Sequence, residues 1–245
     1  MDFTSLIETF ISLLKAVPLT LQLACFSLCL GACLALILAL MRLSKILVFS
    51  LFSRLYVLVF RGTPLLVQIF LIYNGLGQFP AIRQSFLWPF LREPYWCALL
   101  SLTLCTAAYG CEIIRGGLLS VSHNQIEAAK AYGMSRTTAF RRIKLPLAIR
   151  QALPAYGNEV ITMVKSTSLA STITLFEITG VAAKIISETY HWFEVLLMAG
   201  ALYLTINFTL TRLIKWLEYR LSPHLRDSVH FPCSDTQQET SAATP

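Results

Sequence analysis

Residues 125–154 read QIEAAKAYGMSRTTAFRRIKLPLAIRQALP. No other long stretch of the chain is both strongly basic and flanked on each side by apolar sequence of membrane length. Ser122 and Gln125 are spaced like a capping box, Glu127 falls in the first turn that follows, and Gly133 is placed as a C-terminal stop. Ser135 then caps a second helix bearing Arg136, Arg141, Arg142 and Lys144, which Pro146 is expected to close because proline lacks the N–H that a continuing helix needs. The stretch therefore predicts a helix–turn–helix elbow, over about residues 120–153, between two membrane spans.

Composition independently places the chain in a bilayer. Of 245 residues, 56% are hydrophobic and only 13% charged, and a mean hydropathy of +0.63 leaves too little polar surface to cover a soluble globule of this size. A formal charge of +7 raises the question of nucleic acid. The Lys and Arg residues, however, lie between apolar spans instead of forming a basic face with interleaved aromatics, so nucleic acid is excluded as a partner and anionic lipid headgroups account for the charge. No basic n-region with an A-x-A site precedes a span, so no cleaved signal peptide is expected and the first span should stay as an anchor. Seven cysteines show no CxxC spacing and no nearby histidines. Cys25, Cys29 and Cys33 share one face of the first span and Cys97, Cys105 and Cys111 lie in the third, where such residues act as small packing hydrophobes; no metal site is expected.

In chain order, residues 1–16 are weakly amphipathic and 17–41 are long enough to cross about 30 Å of hydrocarbon. Arg42, Lys45 and Arg54 follow, and the positive-inside bias assigns them to the cytoplasm and the N-terminus to the periplasm. Residues 45–60 read as a helix at the cytoplasmic interface and 62–76 as the second crossing. Pro64 sits near the start of that crossing, where its missing N–H costs least; a kink that opens a substrate path is the competing reading. Residues 80–94, with Trp88, form a periplasmic loop, and 95–114 a third span with Glu112 and Arg115 paired at its cytoplasmic end. After the cytoplasmic elbow, residues 154–176 return across the membrane carrying Asn158, Glu159, Lys165 and a Ser/Thr run. Such polarity is tolerated at membrane depth only where it is buried in protein or lines a wet cavity. Residues 180–192 are a periplasmic connection and 193–214 a fifth span, with Arg212, Lys215, Arg220 and Arg226 inside. Residues 1–222 form a single transmembrane domain, and 223–245, rich in Ser, Thr, Gln, Asp and Pro, predict a disordered tail.

The residues of the elbow carry a resemblance. Glu127-Ala128-Ala129, Gly133 and Ile143-Lys144-Leu145-Pro146 resemble the EAA signature of bacterial ABC importer permeases. The runs RGTPLLVQ at 61–68, EIIRGG at 112–117 and GNE at 157–159 resemble the polar amino acid branch of that family, and the likeness spans about residues 12–222. Within the branch, KSTSLASTITL at 165–175 is most similar to permeases for histidine, lysine, arginine, ornithine and the opines. The resemblance implies an all-α integral membrane protein of the type I ABC importer architecture, with five transmembrane helices and a cytoplasmic coupling helix. It implies residence in the bacterial inner membrane, with import of basic amino acids or opines from periplasm to cytoplasm. The expected partners are an ATP-binding subunit, a second permease chain (paralogue or self) and a periplasmic solute-binding protein. Glu127, Ala128, Ala129 and Gly133 are then the candidates for docking on the ATPase.

What is missing also bears on mechanism. There is no G-x-x-x-x-G-K-[ST] loop and no nucleophile–base arrangement, so the chain is expected not to hydrolyse ATP and to bind no cofactor. ATP and Mg are for the partner subunit. A self-contained channel or secondary carrier is the alternative, but carriers commonly show paired repeats with broken helices in both halves, and here only the span after the elbow looks broken.

Candidate residues of the substrate path are Glu159, Asn158, Gln68, Thr167 and Ser168. For Glu159 three readings stand: a salt bridge to Lys165, a bond to the partner permease, or direct contact with the substrate, where it would hold the α-ammonium. In the last case Asn158 and Gln68 would supply neutral donors to the substrate carboxylate, and the run 166–172 would line the outer path.

Overall fold

The computed structural model describes residues 3–221, which form eleven α-helices and, among the described residues, no strand. The first helix, α1 (Phe3–Leu43), runs 41 residues without a break, about 60 Å at 1.5 Å per residue. The amphipathic start and the first span are therefore one rod and not two segments. Pro18 lies inside it and removes one backbone bond, but Leu13 and Ala16 on one side and Leu23 and Ala24 on the other are buried, so tertiary packing holds the helix through the proline.

The helix α2 (Leu47–Gly62) is inside out by the standards of a soluble protein. Its buried residues are Ser50, Ser53 and Val57, whereas Leu47, Val48, Leu51, Leu55 and Leu58 are exposed. The serines let the helix approach its neighbours closely, and Ser53 Oγ donates to the Leu38 carbonyl at 2.9 Å. The leucines face outward, as is favourable against lipid or a partner chain and not against water. At Thr63 and Pro64 the chain turns by 103° into α3 (Leu65–Phe70), which continues through a π turn (Leu71–Gly75) and a 3-10 turn (Leu76–Gln78). Pro64 immediately precedes α3 with extended backbone, so the sharp corner comes between helices and not within one. Two short helices, α4 (Pro80–Arg83) and α5 (Trp88–Leu91), lead to α6 (Pro94–Leu119), against which α1, α2, α3 and α9 all pack.

The elbow begins with α7 (His123–Ala131) and continues with α8 (Arg136–Ala139), a π turn (Phe140–Lys144) and α9 (Leu145–Ser166). Pro146 does not close the second helix. The π turn bonds Leu145 N–H to the Phe140 carbonyl, five residues back, and this widening relieves the clash a proline ring would make with the carbonyl four residues before it. Pro154 likewise lies inside α9, so the helix expected to begin at residue 154 starts earlier in the chain. A 3-10 segment (Thr167–Ile173) ends it, with Thr174 left-handed at φ 64°.

Residues 180–192 are not merely a connection. Most of them belong to α10 (Ile178–Thr189), whose Ile178, Ala182 and Ile186 are buried together with Leu13 and Ala16 of α1 and Val195 and Ala199 of α11 (Trp192–Leu221). By length and composition α1, α6 and α11 are each able to cross a membrane. The count rises to five if each of two bent pairs is one span: α2 with Leu65–Gln78, and Arg136–Ile173 with α10, the latter bent by 45°.

Cys97, Cys105 and Cys111 are buried as packing residues, whereas Cys25, Cys29 and Cys33 are exposed. The tail at 223–245 lies outside the described residues.

Candidate functional site

Two surfaces carry the candidate residues: the elbow and one face of α9. In the elbow, Gly133 adopts φ +75°. Its N–H bonds to the Lys130 carbonyl at 2.9 Å and the Met134 N–H to the Ala129 carbonyl at 3.1 Å, the paired bonds of a Schellman stop. Ser135 Oγ accepts from the Thr138 N–H at 3.2 Å, so α8 starts with a side-chain cap as its sequence predicts. The Ser122 side chain makes no such bond, and the box expected there is not formed. The three residues of the EAA run divide. Ala129 is buried, as is Ala139, where α7 packs on α8 and the π turn. Glu127 and Ala128 are exposed, and Glu127 lies 3.0 Å from His123 Nε2. Sequence alone gave no reason to single out Tyr132, yet it is 87% exposed beside Gly133. A large aromatic so fully presented on a structured surface is a mark of an interface.

On α9 the exposed residues include Gln151, Ala155, Asn158, Thr162 and Lys165. Steps of four and three place them on one stripe of the helix, polar except for alanine and uncovered by the rest of the chain. Glu159 lies beside this stripe and is buried. Among the described residues it makes no ion pair with Lys165, and Arg61 is the cation near enough to act on it. The neighbouring Gly157 has a packing role, because a Cβ there would collide with Ile214 Cγ2 of α11. A Cβ on Gly117 would come within 2.6 Å of the Ala148 carbonyl oxygen, so the glycine of EIIRGG at 117 lets α6 meet α9.

Gln68 is buried at the corner between α2 and α3. Its Nε2 donates to the carbonyls of Phe60 at 2.9 Å and Thr63 at 3.1 Å and to Thr63 Oγ1 at 2.9 Å. Three acceptors around one atom settle which end of the amide is nitrogen, and the buried atom left without a partner is Oε1, an acceptor. The corner thus consumes the donors that a carboxylate would need. Thr167 is buried and its hydroxyl donates to the Val164 carbonyl at 2.7 Å, while Ser168 donates to the Lys165 carbonyl at 2.7 Å. Both hydroxyls therefore tighten the 3-10 segment. The structure puts Asn158 on the α9 stripe and Glu159 buried beside it, while Gln68, Thr167 and Ser168 are hydrogen-bonded within their own segments of the chain.

Glu112 is held by two arginines, one more than its sequence spacing shows. Its Oε2 lies 2.7 Å from Arg115 Nη2 and its Oε1 3.0 Å from Arg42 Nη2, across from α1. Among the described residues no group of His, Cys, Asp and Glu is arranged to hold a metal.

Residues 31–223 match the family described as binding-protein-dependent transport system inner membrane component. The chain is 61% identical over 221 residues to the octopine transport system permease protein OccM of Rhizobium radiobacter, covering 90% of each chain. It is 55% identical over 230 residues to the nopaline transport system permease protein NocM of Agrobacterium fabrum, covering 94% of this chain and 95% of that one. Among solved structures, an amino acid ABC transporter crystallised with histidines superposes with a TM-score of 0.81 at 35% identity, over 90% of this chain and 99% of that one. With described residues that form helices and no strand, helices of membrane length and a relative similar over 90% of each chain, the chain belongs to the binding-protein-dependent inner membrane components and is a permease subunit of an ABC importer.

Proposed function

We propose that this subunit conducts opines or basic amino acids from the periplasm to the cytoplasm, as one half of a pore that a second permease chain, identical or paralogous, completes. The observation that carries the reading is the polar stripe of α9. A membrane chain that leaves Gln151, Asn158, Thr162 and Lys165 uncovered on one face must give that face to water, substrate or a partner chain, since hydrocarbon would not tolerate it. The identity to octopine and nopaline permeases supports an opine as cargo. Glu159, buried beside the stripe with Arg61 as its nearby cation and no pair to Lys165, takes the substrate α-ammonium, and the exposed Asn158 amide donates to the substrate carboxylate.

Five spans, with the N-terminus periplasmic and the elbow and C-terminus cytoplasmic, would complete a single domain over residues 1–222 in the bacterial inner membrane. Energy enters from ATP and Mg bound by a separate ATP-binding subunit, and Glu127, Ala128 and Tyr132 face it while Ala129 and Gly133 set the shape of the elbow. A periplasmic solute-binding protein delivers the cargo. Glu159→Gln tests the site, because it keeps the volume and removes the charge. Loss of a charge-assisted hydrogen bond should reduce uptake of every substrate roughly tenfold or more in proteoliposomes holding the whole importer, with assembly on the ATPase intact. Unchanged uptake kinetics would remove Glu159 from the site, and a loss confined to cationic substrates would move its contact to the side chain.

A further inference from the structure

A cavity of about 470 Å³ opens where α1, α2 and α6 meet, lined by Arg42, Arg54, Arg61, Tyr109 and Glu112 together with Val57 and Leu58. Its charge is lopsided. The one carboxylate, Glu112, is already claimed by Arg42 and by Arg115, the Arg61 guanidinium stacks on the Tyr109 ring at 5.0 Å, and Arg54 has no ion-pair partner among the described residues. Arg42 Nη1 and Glu112 Oε1 are both buried without a hydrogen-bond partner. The contact of Arg42 with Glu112 gains Coulomb energy but leaves that N–H unanswered, a costly state for a buried donor. With Arg42, Arg54 and Arg61 against one carboxylate, the component that fits is an anion that brings several oxygens.

The apolar side of the same cavity narrows the choice. Leu58 on its rim is 69% exposed, and Leu47, Val48, Leu51 and Leu55 continue that exposed face along α2. Guanidiniums at one end and an uncovered aliphatic face beside them match a molecule with a charged oxygen cluster joined to hydrocarbon. We propose that the cavity binds an anionic phospholipid, with its phosphate diester among Arg42, Arg54 and Arg61 and an acyl chain along the leucines of α2. A zwitterionic lipid is disfavoured, because its ammonium would find only a carboxylate that two arginines already neutralise. The site rests on the topology proposed above only in its assignment to the cytoplasmic leaflet, where anionic headgroups attract juxtamembrane Arg and Lys.

The test uses the complete importer in symmetric nanodiscs of phosphatidylethanolamine and phosphatidylglycerol, with native mass spectrometry reading the lipid retained on release. Wild-type protein should retain phosphatidylglycerol in preference. Arg54→Gln, a change at an exposed side chain with no partner to orphan, should lower that preference about fivefold, the value of one arginine at an anionic surface. Lys45→Gln, a neighbouring charge outside the cavity, should lower it much less. Equal retention of both lipids, an Arg54→Gln variant like wild type, or equal losses for the two variants would overturn the proposal. Displacement of the lipid by excess inorganic phosphate would also overturn it, by showing a soluble-anion site. Because a symmetric bilayer has no sidedness, failure here would leave the topology standing, and an inverted topology would leave the binding result standing.

Discussion

Gly133 shows how one backbone angle can carry a surface. At φ +75° with nothing within 4 Å of where a Cβ would sit, a side chain at this position meets no clash, only the intrinsic cost of the left-handed region. That cost is about 1–2 kcal/mol for an ordinary residue and less for Asn, which corresponds to a roughly five- to thirtyfold loss in the population of the folded turn. Gly133→Val should therefore depress uptake steeply while membrane abundance holds, and Gly133→Asn should retain most of it; uptake assays with immunoblots of the membrane fraction check both. Equal failure of the two variants would point to a requirement for a bare surface instead of a turn. Gln68 illustrates the opposite case. Its place in RGTPLLVQ offers it as a residue of the substrate path, and its three hydrogen bonds tie the α2–α3 corner together.

Among the elements, α10 departs most from its expectation. Residues 180–192 read as a connection, yet most of them form a helix that is tied down at its start. Glu177, fully buried, accepts from the Gly180 N–H at 2.9 Å and from Tyr203 Oη of α11 at 2.6 Å. Thr20 of α1 accepts from the Ile178 N–H at 3.3 Å. One carboxylate thus caps a helix and joins it to another, with α1 closing the third side. Glu177→Ala would orphan the buried Gly180 N–H and take from Tyr203 Oη the shorter of its two bonds, the other being to Thr179 Oγ1 at 3.2 Å, and should cost roughly 3 kcal/mol or more, whereas Tyr203→Phe leaves the helix cap in place and should cost about half as much. Thermal unfolding of the purified importer in detergent should rank the three proteins in that order, and a Tyr203→Phe variant less stable than Glu177→Ala would refute the capping role. The inside-out pattern of α2 belongs to the same scale, since Ser50 and Ser53 look like a polar face until Leu38 and Cys111 are seen against Ser53.

For the molecule as a whole, orientation follows from charge. Arg42, Lys45 and Arg54 after α1, the basic elbow, and Arg212, Lys215 and Arg220 at the end of α11 all belong on one side if the bent pairs each count as a crossing. A periplasm-dependent reporter fused after Pro223 should be silent, and one fused within residues 80–94 active; the reverse pattern would invert the chain. As a permease subunit of an ABC importer the chain leaves ATP hydrolysis to a separate subunit, so orientation also decides which surface can receive that energy.

Bilayer residence, the elbow and the family were legible in the linear order, because each depends on local composition or short spacing: hydropathy over a membrane length, Ser135 before a basic helix, glycine at the stop, EAA and its downstream I-x-L-P. Glu112 with Arg115 was legible for the same reason, being three residues apart. Arg42 completing that cluster, α10 packed between α1 and α11, Pro146 and Pro154 carried inside continuous helix, and the division of Ala128 from Ala129 were decided by tertiary structure. In each of these the outcome turns on contacts between residues far apart in the chain. Burial on a neighbouring helix or an ion pair across two spans can outweigh a local breaker or give a small residue its face, and no local pattern encodes which neighbour will be there.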